Sequence, residues 1–394
     1  MIISDFKISS NKQVFIIAEI GMNHNGVYEN AIKLIDESVK IGANCVKFQM
    51  RDMNELYSKE ALDMTSGDLS TQYTIKLLKK FELSFTNYKN LAKYAKQKKI
   101  IFMCTPWDKK SVDKLEKINV PAYKLASADL TNLDLIDYLS KTKKPMILST
   151  GMSSEEEIEV TVKYLKLKKI NFALLHTNST YPTPVKDINL NYIDRLIQKY
   201  NIPVGYSGHE RGTDSTLCAV AKGACIIERH ITLDKEMEGP DHTASLDIKE
   251  FKALVKSIRN LEISLGTNQP RKISQGELIN RENLSKSIFA TKNIKIGQKV
   301  TANMIDIKSP GHGLSPQYKS IIIGKKVVNE IKKGKAIFMS DFNKKVVPKE
   351  NYKFKLKWAI PVRIHDVKNL LKLTKPKLVE FHMSYDDLNE NISK

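Results

Sequence analysis

No stretch of the 394-residue chain holds the roughly 18 consecutive apolar residues that a membrane-crossing helix needs. The opening segment MIISDFKISSNKQVFIIAEIG also lacks a basic region followed by an apolar core and a small-residue cleavage site, so the sequence predicts a cytoplasmic protein with no membrane partner. Cysteine is scarce. Cys45, Cys104, Cys218 and Cys225 sit in apolar segments without CxxC spacing, which argues against a disulfide framework or a thiolate zinc site and reads all four as reduced core thiols. Clustered charge is missing too. A net charge of +20 invites a nucleic-acid partner, because clustered cations gain affinity by releasing counterions from phosphates. The lysines instead fall singly or in short pairs along stretches such as LAKYAKQKKI and VKYLKLKKI, without an interleaved aromatic-and-basic module. They read as a solvated surface that excludes nucleic acid and is compatible with steering a small anion.

What is present is a core. With 41% hydrophobic and 27% charged residues, the chain buries enough apolar surface to fold, and its length fits a large barrel plus something smaller. Between residues 14 and 230, eight short β-rich runs alternate with longer amphipathic stretches: VFIIAEI, NCVKFQ, IIFMC, AYKLA, MILST, FALLH, IPVGY and ACIIER. That rhythm predicts an α/β fold, a (β/α)8 TIM barrel over residues 1–266. The long interval between the second and third runs predicts an excursion over the barrel mouth. Each run ends in polar residues: Glu19; Lys47 and Gln49; Thr105; Lys124 and Ser127; Ser149 and Thr150; His176 and Tyr181; Ser207 and His209; Glu228 and His230. Unpaired polar groups at a barrel rim are costly, so eight polar ends in register predict one enzyme-like pocket.

Residues 267–286 read as a linker and 287–347 as a small β-rich unit in which NIKIGQKVTANMI is echoed by EIKKGKAIFMSDF. Residues 348–394 read as strand, helix and strand, an extension that either docks on the rest or opens a further domain of sugar-phosphate isomerase or epimerase type.

The motifs FIIAEIGMNHNG, GANCVKFQ, YKLASADL, ILSTGM, YPTP, GYSGHERG, ERHITLDKEMEGPDHTASL, SIFATKNIKIGQKVT and IIGKKV resemble the sialic acid (N-acetylneuraminate) synthase family over about residues 12–347. The resemblance implies a TIM barrel followed by an antifreeze-like (SAF, β-clip) domain, in a domain-swapped homodimer. It also implies condensation of phosphoenolpyruvate with an open-chain N-acetylmannosamine-type sugar, another amino-sugar or hexose, or a 6-phosphate. The residues themselves agree. His209 and His230 would end neighbouring strands, where two imidazoles leave room for water and a substrate oxygen around one divalent cation, manganese first and magnesium or cobalt as substitutes.

For phosphoenolpyruvate, the resemblance implies Lys47, Gln49, Lys124, Ser127, Ser149, Ser179, Tyr181 and Ser207, a set rich in cationic and hydroxyl donors. Glu19, Asp129 and Asp241 are the implied catalytic carboxylates. Glu19 would stand beside phosphoenolpyruvate, Asp129 would handle the water and Asp241 would accept hydrogen bonds from the sugar. The chain departs from the family in three places. Ser179 stands where some members offer asparagine, Asp129 where many carry glutamate, and Ser309 where bacterial N-acetylmannosamine users have an arginine, leaving Lys308, Ser309 and His312 as the candidate sugar contacts. The competing readings are another phosphoenolpyruvate-dependent synthase or metal aldolase on the same barrel, and an inactive glycan-binding relative.

Overall fold

The computed structural model describes residues 1–9, 12–63, 69–343, 359–363, 366–373, 376 and 378–381. The chain divides into two units, Met1–Asn268 and Gln269–Lys394.

The first unit is a closed barrel of eight parallel strands: Phe15–Gly21, Cys45–Met50, Ile101–Pro106, Tyr123–Leu125, Met146–Ser149, Phe172–Thr177, Val204–Gly208 and Ile226–His230. Each pairs with the next in sequence, and the eighth closes on the first from Ile226–Phe15 to His230–Glu19. These are the eight runs read from the sequence. They carry continuous apolar character because helices cover the outside while side chains fill the inside, so both faces are buried.

Strand alternation sorts the side chains into two layers. Ala18, Val46, Phe48, Leu148 and Leu174 join the core beneath the helices. Phe15, Ile17, Cys45, Met103, Ala122, Ile147, Leu175 and Ile226 fill the lower interior. A short hairpin, Ile2–Ile3 paired with Phe6–Lys7, closes that end by burying Ile3 and the following Ile8 against the interior side chains. Space in this layer is tight: a Cβ on Gly205 would stand 2.4 Å from the Ile226 carbonyl oxygen and 2.6 Å from Leu175 Cδ2.

The interval between the second and third strands contains helices Met53–Leu56, Lys59–Asp63, Leu69–Lys80 and Phe85–Gln97. Met53, Ile75 and Leu78 pack with Met22 of the loop after the first strand, which puts this excursion at the mouth; residues 64–68 lie outside the described part. One cysteine departs from expectation. Cys45, Cys104 and Cys225 are buried, whereas Cys218 is exposed, on the water side of helix Asp214–Ala221, whose Thr216, Ala219 and Val220 face inward.

In the second unit, the stretch read as a linker contains a helix, Gln275–Leu284, started by a reciprocal Ser274–Glu277 cap. Strand Ser287–Ala290 pairs antiparallel with Ile305–Lys308 over a small core that includes Ile288, Val300, Val327 and Ile337. The internal echo becomes a local two-fold arrangement: Ile294 and Ile331, equivalent in the two half-motifs, exchange backbone hydrogen bonds of 2.8 and 3.0 Å. Gly297 and Gly334, also equivalent, turn with φ of 81° and 80°, values that favour glycine. Farther on, strands Ala359–Val362 and Leu378–Phe381 pair in parallel, with helix Val367–Leu373 between them in sequence.

Candidate active site

The strand ends surround a cavity of about 210 Å³, lined by Glu19, Lys47, Gln49, Thr105, Lys124, Ser127, Ser149, Ser179, Tyr181, Ser207, His209, Glu228 and His230 among others. Its floor is a buried cluster of two lysines and two carboxylates. Lys47 Nζ ion-pairs with Glu19 Oε2 at 2.7 Å and lies 3.8 Å from Glu228 Oε2, while donating to Thr105 Oγ1 at 3.2 Å. Lys124 Nζ donates to Ser149 Oγ at 2.7 Å and the Leu125 carbonyl at 3.0 Å, and stands 3.6 Å from Glu228 Oε1. Ser207 Oγ donates to the same Glu228 oxygen at 3.1 Å, and Gln49 Nε2 donates to Glu19 Oε1 at 2.9 Å.

On one wall, the rings of His209 and His230 approach to 5.5 Å between centroids. His209 Nδ1 lies 2.8 Å from the Asn178 carbonyl, which selects the tautomer with its proton on Nδ1 and makes Nε2 the acceptor. Tyr181 stacks on that ring at 4.0 Å, and its hydroxyl reaches Nε2 at 3.0 Å. On the other wall, a Cβ on Gly151 would meet Ser127 Oγ at 2.8 Å and Ser179 Oγ at 2.3 Å, so glycine there lets two hydroxyls converge. A wider, open cleft of about 540 Å³ adjoins across Met152 and Ser179, but the paired lysines and imidazoles line the smaller cavity.

Residues 34–270 match the model of the NeuB family, and residues 285–343 match that of the SAF domain. The chain belongs to the NeuB family. It is 37% identical to the N,N'-diacetyllegionaminic acid synthase of Campylobacter jejuni, over 83% of this chain and 99% of that one. It is 35% identical to the human N-acetylneuraminate-9-phosphate synthase, over 80% and 88%. Among solved structures it resembles the N-acetylneuraminic acid synthetase of Leptospira borgpetersenii, with a TM-score of 0.65 and 35% identity over 72% of this chain and 96% of that one. These relatives are synthases, and this NeuB-family chain is an enzyme.

The electrostatics of the NeuB-family cavity separate its two central carboxylates. Burial raises Glu19 above the usual carboxylate range, a push that Lys47 opposes and the nearby Glu228 adds to. Burial also works on Glu228, but Lys124 and Lys47 overcome it and bring that carboxyl down to about 2. One carboxylate therefore protonates readily while the other stays ionised, the division of labour that acid–base chemistry needs. Burial depresses Lys124 to about 8 despite the pull of Glu228. Lys47 is depressed by burial too, but Glu19 and Glu228 outweigh that and hold it above the usual lysine range. Burial, with His230 beside it, brings His209 down to about 3, so its ring is neutral at ordinary pH.

Among the described residues, no three histidine, cysteine, aspartate or glutamate side chains form a ready-made metal cage. The imidazole pair could hold a cation with water or substrate oxygens in the remaining positions. His209 offers Nε2, whose lone pair a cation would take over from the Tyr181 hydroxyl, and His230 Nδ1 is a buried ring nitrogen without a hydrogen-bond partner, 3.7 Å from Asp241 Oδ2.

Two of the candidate carboxylates stand differently. Asp241 stands beside the cavity, next to two of its lining residues: its Oδ2 lies 3.7 Å from His230 Nδ1 and, like Glu19 Oε1, within 4 Å of where a Cβ on Gly21 would stand. Asn23 holds its loop by donating to Ser245 Oγ at 2.8 Å, and Ser245 in turn donates to the Asp241 carbonyl at 2.7 Å. Asp129 is buried behind the wall that Ser127 and Ala128 form, with Oδ1 accepting from Asn132 and Oδ2 unpartnered. Lys308, Ser309 and His312 are exposed residues of the second unit, where Ser309 Oγ accepts from Lys286 Nζ at 2.8 Å and Lys308 pairs with Asp306. Sequence reasoning noted Glu228 as a polar strand end but gave it no role. Its signal was the spacing Glu-x-His, which puts both side chains on the inner face of one strand.

Proposed function

We propose that the chain condenses phosphoenolpyruvate with the aldehyde of an open-chain 2-acetamido sugar or its phosphate, releasing inorganic phosphate by C–O cleavage. The observation that carries this reading is the Lys47–Glu19–Glu228–Lys124 cluster facing two imidazoles across one cavity. Lys47 and Lys124, with the hydroxyls of Ser127, Ser149, Ser179 and Ser207, hold the phosphate and carboxylate of phosphoenolpyruvate. His209 and His230 hold a divalent cation, manganese first, which when bound would polarise the aldehyde oxygen. Tyr181 and Gln49 close the walls, and Asp241 accepts hydrogen bonds from the sugar.

In the reaction, C3 of phosphoenolpyruvate forms the new bond to the aldehyde carbon and positive charge develops at C2. Ionised Glu228 stabilises that charge. Water adds at C2, Glu19 takes its proton and passes it to the alkoxide left at the former aldehyde, and the hemiketal phosphate then collapses to the C2 ketone and inorganic phosphate, which carries off the proton of the C2 hydroxyl. Glu19 takes this role in preference to Asp129, which stands behind the cavity wall. In the same reading the chain works in the cytoplasm as a homodimer, with the loop carrying Lys308, Ser309 and His312 serving the barrel of a partner subunit.

The test is phosphate release from phosphoenolpyruvate with a panel of N-acetylmannosamine, its 6-phosphate, diacetamido hexoses and plain hexoses, with manganese and after chelation. Metal-dependent release with one acceptor is expected, and it names the substrate. Release without any acceptor sugar, or undiminished after chelation, overturns the reading. Sedimentation of the same sample checks the dimer.

A further inference from the structure

A second buried ion pair lies behind the imidazoles, and none of the chemistry above uses it. Arg229 stands between Glu228 and His230, so strand alternation turns its side chain away from the cavity into the layer beneath the helices, where an apolar residue is the common occupant. It is fully buried, and its partner Glu210 nearly so. Arg229 Nη1 donates to Glu210 Oε1 at 2.8 Å, Thr216 Oγ1 at 2.7 Å and the Gly212 carbonyl at 3.0 Å, and Nη2 donates to the Glu210 carbonyl at 2.6 Å. Tyr206 Oη donates to the other carboxylate oxygen at 2.7 Å. A Cβ on Gly208 would stand 2.6 Å from Glu210 Oε2, so glycine there lets the carboxylate fold back over its own strand.

Two features give this pair a purpose. Glu210 follows His209 directly and Arg229 directly precedes His230, so each charge is one residue from an imidazole. The pairing of the seventh and eighth strands also ends at Gly208–Arg229, one step short of the histidines. Where the ladder stops, the guanidinium takes over, tying one strand end to both the side chain and the backbone of the other. Stability alone is a poor reason for such a pair, because apolar side chains of similar volume commonly replace a buried ion pair at no cost.

We infer that Glu210 and Arg229 are positioning residues, a clamp that fixes the separation of His209 and His230 and thereby sets the affinity of the metal site; this rests on the metal reading proposed above. The test measures manganese affinity by electron paramagnetic resonance, with thermal melting as the control for folding. It compares wild type, His230→Ala, the double variant Glu210→Leu/Arg229→Met, and Arg229→Lys, which keeps the charge but not the fork. The expected result is a double variant that melts cooperatively yet binds manganese about 10- to 100-fold more weakly, the usual size of an outer-shell effect. Excess manganese should then restore its turnover, and Arg229→Lys should fall between it and wild type. A folded double variant with wild-type manganese affinity overturns the clamp alone. If the double variant fails to fold, Arg229→Lys decides by the same measure. Wild type that binds manganese no better than His230→Ala overturns the metal reading, and the clamp with it.

Discussion

The two ends of the barrel interior are built from the same strands, two residues apart, and they are chemically opposite. On the lower layer stand Ile17, Cys45, Met103, Ala122, Ile147, Leu175, Gly205 and Ile226; one inward position farther along stand Glu19, Lys47, Thr105, Lys124, Ser149, Thr177, Ser207 and Glu228. A rise of roughly 7 Å along each strand separates a dry apolar plug from a charged cluster. The lower layer is held by packing and has no chemistry. The upper layer carries two lysines and two carboxylates whose burial is tolerable because each lies within 4 Å of an opposite charge. The plug makes the charged layer possible, since it closes the far end to water.

The comparison is broken most sharply by removing one charge from the upper layer. Lys124→Met should lower kcat/KM for phosphoenolpyruvate by about 10²- to 10³-fold, as losses of single electrostatic donors do, with the melting curve as a check on folding. The same lysine predicts the pH profile. Under the proposed function it holds the anion only while protonated, and burial brings it down to about 8, so kcat/KM should fall as pH rises through that value. Lys124→Arg should move that limb upward. The lower layer should respond the other way. Ile3→Ala leaves a hole in the plug and should cost about 2–5 kcal/mol by urea denaturation with kcat unchanged. The smallest expected effect uses the thiols: a reagent should label Cys218 in the native protein, leaving the buried Cys45, Cys104 and Cys225 for the denatured chain. Burial pushes Cys225 up to about 11 and Cys45 well above the usual thiol range, which keeps both slow to react.

Much of the upper layer was legible in the sequence, because a polar residue ending an apolar run marks where a barrel strand leaves the core. All eight strands follow from that signal, as do the pocket-lining lysines and histidines and Ser127, Ser149 and Ser207; Ser179 comes only with the family resemblance. The hairpin that closes the plug was not legible: Ile2–Ile3 and Phe6–Lys7 are two residues each, too short for any periodicity. Helix Gln275–Leu284 was passed over as linker because all its residues are exposed, so it lacks the apolar stripe that identifies a packed helix. Glu228 reads only as a polar strand end, and nothing in the sequence singles out Arg229. Only the register shows that one turns inward between two lysines and the other outward to Glu210. Asp129 shares a short 3₁₀ segment with Ser127, and there the chain leaves Ser127 and Ala128 lining the cavity while Asp129 is buried next to them, a distinction that spacing alone does not carry.

The charge balance of the floor has a thermodynamic consequence. Lys47, Lys124, Glu19 and Glu228 sum to zero when all are ionised, so the cluster alone offers little net attraction to a multiply charged anion. Loading phosphoenolpyruvate makes the cavity negative, and loading a divalent cation makes it positive. Under the proposed chemistry each guest therefore helps the other, and the help is reciprocal: the factor by which manganese tightens phosphoenolpyruvate must equal the factor by which phosphoenolpyruvate tightens manganese.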